Sequence, residues 1–385
     1  MSARLSALAA LIASTALVSS PVLAQQSAPT NVVDALKPYY DQLDIELPQA
    51  SLGMGEPATD AVYSRILFGS CSRPEEGMEI LDQVTAADPD LFLFIGDNVY
   101  GDAYSWDATL PELRDAYAAL AAAPEFIRLR ENAPMLATWD DHDYGMNDFG
   151  AQFPYKGYAE EIFLDFWNVP ADDVRRTRPG IHDARILGPE GQRIQIIMLD
   201  TRYFRGPLTM TDERNAPGRE RYIPSEDTSV SMLGDEQWAW LAEELQKPAE
   251  LRLIVSSIQV HADGHGYEAW RTMPHERERL YNLVAETGAN GVVLLSGDRH
   301  SSGLYLRDDV APYPLYEITS SSLNLSFRDE NNEAGPNRIG DMYAPVNFGE
   351  VAVDWASGDV DLIIRDGEGD AVREIEFNLS DLQID

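Results

Sequence analysis

Residues 137–147 read Ala-Thr-Trp-Asp-Asp-His-Asp-Tyr-Gly-Met-Asn, which sets Asp140, Asp141, His142 and Asp143 side by side after the apolar run 134–139. Adjacent carboxylates at the end of a buried segment repel one another and resist dehydration, so local folding gains nothing from them and a cation is the natural counterweight. Three other apolar runs end in comparable chemistry. Ser70-Cys71-Ser72 follows RILFG, Gly96-Asp97-Asn98-Val99-Tyr100 follows LFLFI, and Ser296-Gly297-Asp298-Arg299-His300 follows GVVLL. Asp97 and Tyr100 share one turn; a carboxylate can bridge two cations, and a phenolate suits a hard, highly charged one such as Fe³⁺. Asp141 and Asn147 are oxygen donors suited to Ca²⁺. Asp298 and His300 stand two residues apart, so extended backbone turns both to one side. His142 can pass a proton to a leaving alkoxide. An Asx-rich turn capping a helix would account for Asp143 but leaves the Asp140–Asp141 pair unexplained.

These clusters need a frame that brings them together. Short apolar runs alternate with amphipathic segments, the pattern of an α/β sheet protein. Strands are expected over 65–70, 90–95, 134–139, 181–187, 193–199, 251–257 and 291–296, and helices over 75–87, 111–123, 155–167, 235–246 and 274–287. From Gly349 onward, alternating residues interrupted by Ser357-Gly358-Asp359 and Asp366-Gly367-Glu368-Gly369 predict an antiparallel meander added to one sheet. The stretches of about 205–233 and 328–347 lack a clear period and are expected as loops over the working face. Ligands of open α/β sheets gather beyond the carboxyl ends of strands, so four clusters distant in sequence can converge there.

Composition narrows the partners. Against 29 Lys+Arg stand 65 Asp+Glu, a net charge of −36, and the lysines are Lys37, Lys156 and Lys247. Nucleic acid and anionic membranes need a cationic surface and are poor partners. An anionic substrate would be repelled unless bound cations reverse the field locally. Arg4, the apolar run 5–18 and Pro21-Val-Leu-Ala24 form the pattern of a secretory signal, with cleavage expected after Ala24. The run is shorter than the roughly 20 residues a bilayer span requires, and no other segment is apolar enough. Residues 25–60 then form a lead-in and 61–385 one domain, in a periplasmic or secreted protein. Cys71 is the single cysteine, so it cannot form an internal disulfide; it is a buried thiol, an intermolecular link or a ligand.

The order Cys71, Gly96-Asp-Asn-Val-Tyr100, Trp139-Asp-Asp-His-Asp143 with Asn147, and Gly297-Asp-Arg-His300 resembles the alkaline phosphatase D (PhoD) family of the calcineurin-like metallophosphatases. Leu199-Asp-Thr-Arg-Tyr203 and Ser256-Ser-Ile-Gln259 extend the resemblance, which runs from about Arg65 to about Tyr305. It implies a four-layer α/β/β/α sandwich and a multi-metal centre, associated with ferric iron and calcium, that hydrolyses phosphate esters. It further implies that the Cys71 thiolate shares a metal with Tyr100 and that Asp97, Asp141, Asn147, Asp298 and His300 are ligands. Asp140 stands where the wider superfamily carries glycine and joins the candidate ligands. His142 falls where relatives keep a histidine beside the metals. Gln259, His261 and His265 occupy the region of a further histidine ligand, and the sequence does not decide among them. Gln259, His261, Trp270 and Arg202 are expected to contact substrate, Arg202 because guanidinium matches phosphate oxygens. With Cys71 so early in the sequence, the family's separate amino-terminal β domain is expected to be absent.

The chemistry these parts allow is metal-assisted hydrolysis, with cations roughly 3.5–4 Å apart activating a water. Asp97 and Asp141 would hold the cations while His142 serves the leaving group. No GxSxG occurs, so a serine nucleophile is not expected. Substrates would be small-molecule or lipid phosphate esters, and the ligands alone do not separate monoesters from diesters, phospholipid head groups or triesters. A different class remains open: an exported calcium-binding protein whose acidic clusters serve stability alone.

Overall fold

Apolar runs with no wet face become the inner strands of two sheets. The computed structural model describes residues 31–327, 333 and 335–384; the expected signal segment at 1–24 lies outside them. In chain order the strands are β1 (Arg65–Gly69), β2 (Leu91–Ile95), β3 (Met135–Thr138), β4 (Asp183–Leu187), β5 (Ile194–Met198), β6 (Leu251–Val255), β7 (Val292–Ser296), β8 (Ser302–Arg307), β9 (Leu315–Thr319), β10 (Arg338–Tyr343), β11 (Asn347–Asp354), β12 (Asp359–Asp366) and β13 (Ala371–Asn378). The helices are α1 (Val32–Tyr40), α2 (Ile80–Ala86), α3 (Pro111–Ala122), α4 (Pro124–Asn132), α5 (Asp141–Tyr144), α6 (Lys156–Phe166), α7 (Gly234–Leu245) and α8 (Pro274–Thr287).

One sheet runs β13-β12-β11-β1-β2-β3 and the other β10-β8-β9-β7-β6-β5-β4. Parallel pairing joins β1, β2 and β3 in the first and β5, β6, β7 and β9 in the second. The outer strands are antiparallel, so both sheets are mixed. Alternation along the strands separates the layers. Ile66, Phe68, Leu91, Leu93 and Ile95 share a core with Ile196, Leu253 and Val255 of the facing sheet, and α7 and α8 close that core through Trp238, Leu241, Leu280 and Val284. Leu67, Phe92 and Phe94 face the opposite way, into a second core with Val84, Leu113, Phe126 and Phe163 of α2, α3, α4 and α6. The arrangement is the expected α/β/β/α sandwich.

Several boundaries differ from expectation for identifiable reasons. The helix expected over 75–87 is broken by Gly77 at φ 95: a short 3₁₀ turn covers Pro74–Glu76 and α2 begins at Ile80. The start of α4 is set by a proline at its first turn, and its many charged residues hid the apolar face made by Phe126 and Leu129. The loop expected over 328–347 holds β10, paired with β8, while 328–332 and 334 lie outside the described residues. Over 205–233 the chain forms no helix and only isolated bridges such as Met210 to Tyr222. The tail is the expected meander, and β11 attaches it to β1. No helix among the described residues is long and apolar enough to cross a membrane.

Candidate metal centre

The four chemical clusters follow the carboxyl ends of β1, β2, β3 and β7. Cys71, Asp97, Asp298 and His300 all take left-handed backbone, with φ of 59, 46, 68 and 52. Such conformations in non-glycine residues persist only where surrounding contacts over-determine them. Cys71 Sγ lies 3.2 Å from Ser321 Oγ and 3.5 Å from Asp97 Oδ2. The Tyr100 hydroxyl donates to Asp97 Oδ2 at 3.1 Å and sits 3.2 Å from His300 Nε2. His300 Nδ1 lies 2.9 Å from the Leu325 carbonyl, which can only accept, so Nδ1 carries the proton and Nε2 turns its lone pair to the centre. Ligand atoms of Cys71, Asp97 and His300 fall within 4.8 Å of one another. So do those of Asp97, Asp141 and His142, of Asp140, Asp141 and Asp298, and of Asp141, Asp148 and Glu268. Asp97 and Asp141 belong to more than one group.

Asp140–Tyr144 forms a single turn after β3, and its four polar neighbours separate in role. The Asp143 carboxylate accepts from the backbone N–H of Asp140 at 2.5 Å and of Asn98 at 3.0 Å, which makes it the N3 acid of a capping box whose N-cap is Asp140. His142 Nδ1 donates to Asp102 Oδ2 at 2.7 Å, and Asp102 Oδ1 accepts the Asn147 N–H at 2.7 Å, leaving His142 Nε2 for the cleft the ring lines. Asp140 Oδ1 accepts from Arg202 Nε at 2.5 Å and Ser257 Oγ at 2.6 Å. Asp141 Oδ2 accepts the Asp148 N–H at 2.6 Å. The remaining oxygens, Asp140 Oδ2 and Asp141 Oδ1, are buried without a partner. A buried carboxylate oxygen left unsatisfied is costly unless something cationic reaches it.

The electrostatics agree. Burial, then neighbouring carboxylates, push Asp97 and Asp298 well above the usual carboxylate range. Burial raises Asp140 to about 7, even against the Arg202 guanidinium. Burial and the Asp97 charge likewise raise the Cys71 thiol and the Tyr100 phenol. Asp141 moves down, because His142 and Arg202 outweigh its burial. Burial disfavours a charged His142, yet Asp141, Asp97 and the hydrogen bond to Asp102 lift its pKa well above the ordinary value. The cluster thus holds protons that multivalent cations would displace. Its donors fit two kinds of ion: sulfur, phenol oxygen and imidazole meet at Cys71, Tyr100 and His300, whereas Asp140, Asp141 and Asp298 offer oxygen alone.

The four residues expected to touch substrate do not reach the cleft. Arg202 is fully buried and bound to Asp140 and, at 2.5 Å, to Glu268. Gln259 donates to the Tyr305 hydroxyl at 2.9 Å and Thr319 Oγ1 at 3.0 Å, and its oxygen lies 2.9 Å from His265 Nε2. His261 is buried between the Tyr281 hydroxyl and the Leu315 carbonyl, and Trp270 is buried with Nε1 donating to Ser256 Oγ at 2.9 Å. The chain leaving β6 passes beneath the site, so its polar residues satisfy one another in the core. Arg299, between Asp298 and His300, lines the cleft and lies 4.7 Å over the Tyr267 ring. Asp102, Asp148, Glu268 and Ser321 were not anticipated. Asp102 follows Tyr100-Gly101 and Asp148 adjoins Asn147, so both carried a local signal; Glu268 and Ser321 carried none.

A cleft of about 650 Å³ opens over these groups, walled in part by Tyr104, Tyr267 and Phe327. The sequence pattern of the PhoD-like phosphatases matches residues 66–347. Alkaline phosphatase D of Bacillus subtilis (strain 168) is 24% identical over 280 residues, 64% of this chain and 47% of that protein; the chain thus spans about half the length of this curated relative. A solved structure of PhoD shares the fold with a TM-score of 0.62 at 17% identity, covering 84% of this chain and 70% of that one. The purple acid phosphatase PPD1 from yellow lupin (Lupinus luteus) seeds shares it with a TM-score of 0.54 at 12% identity, over 84% and 55% of the two chains. The matched segment runs from β1 to the first residue of β11 and contains every candidate ligand, and on it this chain belongs to the PhoD-like phosphatase family.

Proposed function

We propose that the protein is an exported, metal-dependent hydrolase of small-molecule or lipid phosphate esters, acting in the periplasm or outside the cell. The observation that carries this reading is the convergence of buried acids at and beneath a cleft that Asp141 and Asp298 line, with Asp140 Oδ2 and Asp141 Oδ1 left without a partner. Cys71, Asp97, Tyr100 and His300 would hold ferric iron, and Asp97, Asp140, Asp141, Asn147 and Asp298 would hold calcium. Cations there supply Lewis-acid polarisation of a phosphoryl oxygen and a water of lowered pKa. His142 keeps a proton for the departing oxygen, and Asp102 fixes the ring that carries it. The 1–24 pattern supports export with cleavage after Ala24.

Elemental analysis of the purified protein, with turnover of a chromogenic monoester, diester and triester before and after iron and calcium are supplied, tests the reading. Bound iron with ester turnover is expected, and Tyr100→Phe and Cys71→Ser should each lose both. Either variant retaining both leaves the ligand set. Metal-replete protein that hydrolyses none of the three esters, and answers calcium only with a higher melting temperature, would be the calcium-binding protein instead.

A further inference from the structure

An acidic protein that receives an anion needs positive groups placed beside any cations it holds, and the walls of this cleft carry three guanidinium groups, Arg73, Arg221 and Arg299. Two are committed. Arg299 pairs with Glu333, and Arg221 bonds Asp148 at 2.9 Å, whose same oxygen also accepts from the Tyr222 hydroxyl at 2.8 Å. Arg73 is held differently. Its ion pair among the described residues is with Glu76 at 2.9 Å, and the two side chains are 37% and 51% exposed. Solvent-exposed pairs of this kind contribute little and exchange partners readily.

The backbone of Arg73 is tied down by hydrogen bonds, while its side chain is partly exposed. Its N–H donates to Asn324 Oδ1 at 2.7 Å, and its carbonyl accepts from Asn324 Nδ2 at 2.8 Å, so one side chain from the strand-end loop after β9 clamps both faces of the peptide. Two residues upstream lies Cys71, itself held by its left-handed φ of 59. The guanidinium carbon sits 4.8 Å from the centroid of the Tyr100 ring, on the cleft wall shared with His142 and His300. A guanidinium near an aromatic face keeps edge N–H groups free for a bidentate grip on two oxygens.

Resting on the phosphate-ester reading above, we infer that Arg73 binds the non-bridging phosphoryl oxygens of the substrate, and that Glu76 occupies this guanidinium until the anion displaces it. Arg73 is then a specificity-determining residue for anionic esters, and Glu76 a competitor whose removal strengthens binding. A part confined to shielding Tyr100 makes no such demand on Glu76.

The test measures, on metal-loaded protein, KM and kcat for the preferred ester, the inhibition constant of inorganic phosphate, and metal content. Arg73→Gln should raise KM and the phosphate inhibition constant about 10–100-fold with kcat changed less and metals retained. Arg73→Lys should fall between, and Glu76→Gln should lower the phosphate constant a few-fold. An Arg73→Gln variant that binds phosphate like the wild type, or that loses its metals, overturns the inference, as does a Glu76→Gln variant that binds phosphate more weakly. Those results leave ester hydrolysis by the wild type intact; a wild type that neither turns over an ester nor binds phosphate in direct calorimetry would remove the parent reading, and this inference with it.

Discussion

The proposed role of His142 at the leaving group requires that its ring be held, and Asp102 holds it. The 2.7 Å bond from Nδ1 fixes the tautomer, and the same carboxylate pins the Asn147 backbone at 2.7 Å, so one residue orients both the proposed acid and a candidate ligand. Asp102→Asn should therefore lower kcat about 10–100-fold while metal content and melting temperature stay near wild type. Unchanged kcat in a metal-replete Asp102→Asn enzyme would mean that His142 does not depend on this bond. The sequence displayed His142 openly among acids; Asp102 was present in plain view two residues past Tyr100, but nothing local distinguishes an orienting carboxylate from a solvated one.

At the scale of the element, the centre is built from strand ends that approach closely at positions without a side chain, Gly96 and Gly297 among them. Gly96, between β2 and Asp97, has φ +117, and a Cβ there would lie 2.7 Å from Asp140 Cβ and 2.9 Å from Ser257 Cβ. Gly191 also has positive φ, +87, but nothing lies within 4 Å of its would-be Cβ. Gly191→Ala should cost about 1–2 kcal/mol for backbone conformation alone. Gly96→Ala should cost about 2 kcal/mol more from crowding, with loss of bound metal, as read by urea unfolding and elemental analysis. Equal costs at the two positions would show that close approach at Gly96 does not matter. The inner strands were legible because burial on both faces demands unbroken apolar runs such as LFLFI. The strands β8 and β10 were not: β8 emerges directly from the 297–300 turn, and β10 has exposed residues and pairs with β8 across more than thirty residues of chain.

For the molecule as a whole, pH dependence is carried in part by buried histidines that belong to none of the candidate ligand groups. His261 is pushed down to about 3, by burial first, and His182 to about 3 by burial and then Arg178. Both stay neutral when folded, while in the unfolded chain each binds a proton below about 6.5. Between pH 3 and 6.5 the unfolded state therefore binds more protons, and these two groups withdraw stability as pH falls through that window. Each contributes a slope of up to about 1.4 kcal/mol per pH unit. His261→Gln should flatten the dependence of unfolding free energy by close to one proton relative to wild type between pH 4 and 6. Parallel curves for the two proteins would show that His261 titrates alike folded and unfolded. Buried acids such as Asp97 and Asp298 oppose this trend in the metal-free protein, because their raised pKa values favour the folded state at low pH; comparing wild type with variant cancels them.

The sequence by itself determined the alternation of strand and helix, the antiparallel tail and the kinds of donor waiting at four strand ends, because strand burial and the chemistry that follows a strand are local properties. Only the tertiary structure decided which donors share a position, since that depends on how two sheets pack. Arg202 was expected at the substrate by its chemistry, whereas folding sets Glu268, 66 residues away, 2.5 Å from it. The same packing drew Gln259, His261 and Trp270 into the interior and delivered Ser321 to Cys71 at 3.2 Å across 250 residues. No spacing along the chain encodes such neighbours; they follow from the mutual fit of layers formed by residues far apart in sequence.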